Sequence, residues 1–81
     1  MWISPEGYKI VGKCLATTRK RAGMSQDELA VLLEKPQSFV SAYERGQRRI
    51  DLLEFLKIMG TLKADPREVF ANIVTAYRAH R

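Results

Sequence analysis

The chain is 81 residues long, 46% hydrophobic and 28% charged, a composition that excludes intrinsic disorder and a length that supports one domain with a modest core. Its formal charge is +5 and its pI about 9.7, which favours a polyanionic partner, nucleic acid before an anionic membrane surface.

Capping chemistry marks the elements in order. Ser4-Pro5-Glu6 supplies an N-cap, a proline at the first helical position and an acid in the first turn. Tyr8, Val11, Leu15 and Ala22 recur at helical spacing as far as Gly23, a natural left-handed stop, so helix 1 is expected over about 5–22. Ser25 and Glu28 make an S-x-x-E capping box, with Met24 placed to staple onto Leu29. Helix 2 covers about 26–33, with Leu29, Ala30, Leu32 and Leu33 apolar, and Pro36 breaks it by pushing Lys35 out of the helical region. Helix 3 covers about 37–45 and stops at Gly46. Asp51 and Glu54 open helix 4, about 52–62, and Asp65, Pro66 and Glu68 repeat the device for helix 5, from 66 to near the end of the chain. No run of alternating β-branched residues competes, so the fold is expected to be all-α, one domain over residues 1–81.

Two short helices joined by about three residues are the helix-turn-helix arrangement, in which the second helix enters the major groove. At about 100° per residue, Val40 and Tyr43 lie roughly 60° apart and should face helices 1 and 2. Gln37, Ser38, Ser41 and Arg45 gather on the opposite side. Donors and acceptors on that face suit base edges: Gln pairs bidentately with adenine, Ser addresses any base, and Arg prefers guanine or phosphate.

Residues 26–45, "QDELAVLLEKPQSFVSAYER", resemble the helix-turn-helix of the phage-repressor (Cro/xre) family, through Gln26, Ala30, Val40, Tyr43 and Glu44. Flanking matches, "TRKRAGMSQ" and "LLEFLKIMGTLKADP", extend the similarity to about residues 8–70. The resemblance implies a compact five-helix, lambda-repressor-like DNA-binding domain with helices 2 and 3 as the motif. It implies base contacts from Gln37 and Ser38, with Ser41 and Ala42 one turn on. Gln26 would bind phosphate and buttress Gln37, helped by its backbone N–H at a helix start. Arg19 and Glu44 match a structural salt bridge between helix 1 and the recognition helix, which assigns them to the scaffold. The family usually has glycine where this chain has Glu34 and Lys63; keeping both turns would require positive φ at two non-glycine residues.

Phe39 lies at the margin between the core and groove faces, and is expected to pack partly and to touch DNA, for instance a thymine methyl. Arg45, Arg48 and Arg49 have the composition of a solvated charge run, but their place just after the recognition helix reads as phosphate clamps, as does that of Lys35 just before it. Lys20 and Arg21 suit either phosphate or the C-terminal dipole of helix 1. His80 is expected in solvent.

The single cysteine, Cys14, permits no intrachain disulfide or thiolate cage and, amid apolar and small neighbours, reads as a buried structural thiol in a reducing cytosol. No nucleophile–base constellation or metal spacing appears, so neither an enzyme nor a cofactor is expected. "MWISPEGYKIV" lacks a signal-peptide pattern, and no stretch approaches the roughly 20 apolar residues of a span, which points to a cytoplasmic protein without membrane association.

Helix 5 carries Val69, Phe70, Ile73, Val74 and Tyr77, more apolar surface than one side needs. Val69 and Phe70 are expected in the core, and Ile73, Val74 and Tyr77 at a two-fold dimer interface that Trp2 and Ile3 could extend. The alternative is that helix 5 packs wholly on its own domain. The expected function is a dimeric, sequence-specific transcriptional regulator, a repressor on a palindromic double-stranded DNA operator. An antitoxin with a toxin partner or a restriction-modification controller would use the same chemistry; a protein-interaction module without DNA binding would not.

Overall fold

The computed structural model describes residues 3–80, which form five helices: α1 Pro5–Arg21, α2 Gln26–Leu33, α3 Gln37–Glu44, α4 Leu52–Leu62 and α5 Pro66–Ala79. Trp2 lies outside the described residues. Local chemistry sets most of the boundaries. Ser25 Oγ accepts the Glu28 N–H at 3.0 Å while Glu28 Oε1 accepts the Ser25 N–H at 2.8 Å, and Asp51 and Glu54 repeat this reciprocal box at 2.7 and 3.0 Å. Two expected caps differ. Ser4 occupies the N-cap in extended backbone without a side-chain bond, its carbonyl instead accepting from Gly7. Asp65 caps the N–H of Arg67 at 2.9 Å, one position short of Glu68, so no reciprocal box forms there.

Glu34 and Lys63 both adopt the left-handed conformation, at φ 57° and 56°. Each turn keeps the shape glycine would give it. The Lys35 N–H reaches back to the Ala30 carbonyl at 3.0 Å and the Ala64 N–H to Met59 at 2.9 Å, the long-range bond of a Schellman stop. Helix α3 ends at Glu44, with Arg45 as its C-cap and Gly46 following at φ 75°.

Leu15, Leu29, Val40, Tyr43, Ile58 and Met59 form the fully buried centre, ringed by Ala30, Phe55, Leu62 and Val69. Helix α1 packs against α3 and α5, α2 against α3 and α4, and α4 against α5. Gly12 makes the α1–α3 contact possible, because a Cβ there would collide with the carbonyl oxygens of Tyr43 and Glu44. Three of the apolar positions that helical spacing points toward the core are exposed instead. Phe70 is 57% exposed, since Val69, one residue and about 100° earlier, takes the inward position. Leu32 is 55% exposed for the same reason beside Leu29 and Leu33, and Ala22 is the exposed C-cap of α1. Cys14 is half-buried rather than enclosed, and the burial it has pushes its thiol pKa up, against a smaller opposing effect of Lys13.

No described helix is long and apolar enough to cross a membrane.

Candidate nucleic-acid interface

The outward side of α3 is assembled from the core outward. Arg19, 7% exposed, donates from Nε to Glu44 Oε2 at 2.7 Å and from Nη2 to Oε1 at 3.1 Å, and from Nη1 to the Met24 carbonyl at 2.7 Å. The Glu44 side chain is 5% exposed. The forked pair clamps the end of α3 to α1 and to the turn that starts α2. Hydrogen bonding to Glu44 holds the Arg19 pKa above its ordinary value, against the opposing effect of burial.

Two amides extend this clamp to the surface. Gln26 Nε2 donates to Glu44 Oε1 at 2.8 Å, and Gln37 Nε2 donates to Gln26 Oε1 at 2.5 Å. Gln26 is half-buried and Gln37 exposed, so the chain of bonds runs from the core to the first residue of the recognition helix. Gln37 retains Oε1 and one N–H without a partner among the described residues, the donor–acceptor pair a base edge requires. Ser38 is exposed beside it; Ser41 and Ala42 are half-exposed a turn later. Val40 and Tyr43 are fully buried on the opposite side.

The cations divide into two groups. Lys35, Arg45 and Arg49 are exposed around the ends of α3 and form no ion pair among the described residues. Lys20 and Arg21 are exposed in the last turn of α1. Arg48 is committed within the protein. Its Nη1 and Nη2 donate to Glu54 at 3.1 and 2.8 Å, Nη1 also to the Arg49 carbonyl at 2.7 Å, and its guanidinium lies 4.5 Å from the centre of the Phe39 ring. Phe39 is half-buried, edge-on to Tyr43 at 5.6 Å, with Lys35 Nζ 5.6 Å from its own ring centre. These contacts join the loop after α3 to the capping box of α4. Sequence spacing offers no sign of the Arg48–Glu54 pair, which depends on the path of residues 45–51. Glu54, held by Arg48 and by the Asp51 N–H, titrates well below a normal carboxylate, down to about 2.

Helix α5 presents Phe70 and Tyr77, the latter 53% exposed, over a groove shared with Ile3, Tyr8 and Val11 of the N-terminal segment. Val74 lies half-buried in that groove, and Ile73 packs partly against the core. His80 is exposed.

An eight-residue helix joined to the one before it by the short turn 34–36, with a polar outer face anchored through the core, defines the chain as a helix-turn-helix DNA-binding domain. It belongs to the HTH_3 helix-turn-helix family, whose sequence model matches residues 15–69, and it is a transcription regulator of the XRE type. Among solved structures it is similar to the restriction-modification controller protein C.AhdI from Aeromonas hydrophila, at 39% identity and a TM-score of 0.67 over 73% of this chain and 86% of that one. An XRE-family-like protein from Pseudomonas syringae pv. tomato matches at 34% identity and a TM-score of 0.75, covering 86% of this chain and 85% of the other. The clp gene regulator ClgR from C. glutamicum shares the fold at 20% identity and a TM-score of 0.80, over 86% and 91% of the two chains. A search of functionally curated proteins finds no significant match.

Proposed function

We propose that the protein is a repressor that binds a palindromic operator in double-stranded DNA as a homodimer, reading bases through α3. The observation that carries this reading is the Gln37 amide, exposed at the start of α3 yet held through Gln26 by a buried ion pair. A solvated surface glutamine needs no such support; one that must meet a base edge in register does. Gln37, Ser38, Ser41 and Ala42 are the base-reading residues, with Phe39 at their edge. Lys35, Arg45, Arg49 and the Gln26 amide and backbone N–H face the phosphates. Arg48, through Glu54 and Phe39, fixes the loop that carries Arg49.

The dimer follows from reach. Helix α3 has eight residues and spans about 12 Å, so one protomer covers roughly four base pairs, too few for selective recognition. Two protomers joined through Phe70, Val74 and Tyr77 of α5, with Ile73 at the edge, would place two such helices about 34 Å apart. The identity to C.AhdI supports a narrower version in which the regulated genes belong to a restriction-modification system; its DNA chemistry is the same.

Selection of bound sequences from a random duplex pool tests the reading, alongside sedimentation of the free protein. The expected result is a two-fold symmetric consensus with half-sites one helical turn apart, bound by a dimer. Absence of any enriched sequence from the folded protein would overturn it.

A further inference from the structure

The hydrogen-bond chain that ends at Gln37 has a direction, and the direction originates inside the protein. Glu44, ionised against Arg19, offers only acceptors. Gln26 must therefore turn its NH2 group toward Glu44 Oε1, 2.8 Å away, which leaves its own oxygen facing Gln37. Gln37 answers with an N–H at 2.5 Å. Turning either amide over would set two oxygens or two NH2 groups against each other, so only one polarity of Gln37 keeps both bonds. Its donor stands on the Gln26 side and its acceptor on the far side.

We propose that Glu44, which is too deeply buried to touch DNA, is a positioning residue that fixes the order of donor and acceptor Gln37 presents to the groove. An A·T pair shows the adenine N7 acceptor and N6 donor in one sense along the major groove, and the inverted T·A pair shows them in the other. With Gln37 held at one place across the groove, Glu44 thereby sets which of the two pairs is read, two hydrogen bonds away from the amide that meets the base. The inverted pair repeats the same order only at a displaced position, thymine O4 and adenine N6. This inference rests on the base-reading role proposed above for Gln37. Without the carboxylate, Gln26 accepts from or donates to Gln37 equally well, and both polarities become populated.

The test compares selections from one random duplex pool by the wild-type protein, Gln37→Ala, Gln26→Met and the double variant Arg19→Met/Glu44→Leu. The double variant replaces the buried ion pair by apolar groups of similar size, a change that domains tolerate far better than loss of one partner. The base pair whose preference disappears in Gln37→Ala marks the position to score. There, the ratio of A·T to T·A is expected to fall about tenfold or more in both Gln26→Met and the double variant, while preferences at other positions persist. A ratio, unlike an affinity, is insensitive to general weakening of the domain. An unchanged ratio in the folded double variant would overturn the inference, as would an equal loss of preference at every position. If the double variant does not fold, an unchanged ratio in Gln26→Met still overturns the inference, because Glu44 reaches Gln37 only through Gln26. Lack of enrichment by the wild-type protein would instead remove the DNA-reading function, and this inference with it.

Discussion

Gly12→Ala sets two physical effects against each other, with opposite signs. In an exposed helix interior, alanine is favoured over glycine by about 0.8–1.0 kcal/mol, so propensity alone predicts stabilisation. Packing predicts the reverse. The new Cβ would lie 2.7 Å from the Glu44 carbonyl carbon and closer still to the oxygens of Tyr43 and Glu44. Those are backbone atoms in the last turn of α3 and cannot swing aside, so α3 would have to retreat by roughly 1 Å to restore normal contact. Overpacking of this kind costs about 1–3 kcal/mol, and a rigid neighbour puts it at the upper end. The net expectation is a loss of about 2 kcal/mol, or roughly 8–16 °C in Tm for a domain of this size. Gly60, in α4, is the internal control: nothing lies within 4 Å of its notional Cβ. Gly60→Ala should raise Tm by roughly 4–8 °C. Thermal unfolding followed by circular dichroism reads both. A higher Tm for Gly12→Ala would refute the argument that this glycine exists to admit the α3 backbone.

The Tyr43 hydroxyl is buried without a hydrogen-bond partner among the described residues, and burial drives its pKa well above the ordinary phenol value. Tyr43→Phe should therefore raise stability by about 1 kcal/mol, and a loss of that size in urea unfolding would show that the hydroxyl is satisfied. Glu34→Gly and Lys63→Gly remove left-handed strain of about 1–2 kcal/mol each. Glycine's larger unfolded-state entropy offsets part of that, leaving an expected gain of about 0.5–1 kcal/mol per site; destabilisation at either would contradict the strain argument. Glu54 is held down to about 2 from an ordinary value of 4.5, so its contribution is complete above pH 4.5 and disappears as pH falls from there through 2. The stability difference between wild type and Glu54→Gln should be widest near pH 6 and close by pH 2; a gap that stays constant over this range would show that the pair with Arg48 does not form in solution.

The helices were legible because their signals are local. Ser25 with Glu28, and Asp51 with Glu54, act over three residues, and Val40 with Tyr43 declares the inward side of α3 by spacing alone. Asp65 and Phe70 show where local reasoning stops. Whether a cap bonds to the second or third N–H, and which of two adjacent apolar residues turns inward, depends on how α5 is seated against α1 and α4. Gly12 was invisible for a stronger reason: its role is a non-local approach of two backbones, and composition carries no trace of it. The family resemblance, rather than spacing, supplied the pairing of Arg19 with Glu44. It left the turns at Glu34 and Lys63 open, since it could not say whether side chains would accept a glycine conformation.

Net charge identifies a class of partner but not a surface, and the ion pairs supply the missing step. Lys9, Arg19, Arg48 and Arg67 are each paired with a carboxylate, at 3.4, 2.7, 2.8 and 3.3 Å. A cation already neutralised by the protein releases fewer counterions when it meets DNA than a free one. Lys35, Arg45 and Arg49 are exposed beside α3 and have no ion pair among the described residues. Three phosphates neutralised by cations per protomer, six in the proposed dimer, would give a slope of log K against log salt near −5 for a non-specific duplex. In the proposed dimer, Arg49→Ala would remove two of these contacts and should flatten that slope by about 2. Arg48→Ala should change it much less, because its charge is balanced by Glu54, and should act mainly by loosening the loop that carries Arg49. Equal flattening by the two substitutions would mean that Arg48 abandons Glu54 for phosphate on binding, and that the capping box of α4 is reorganised by DNA.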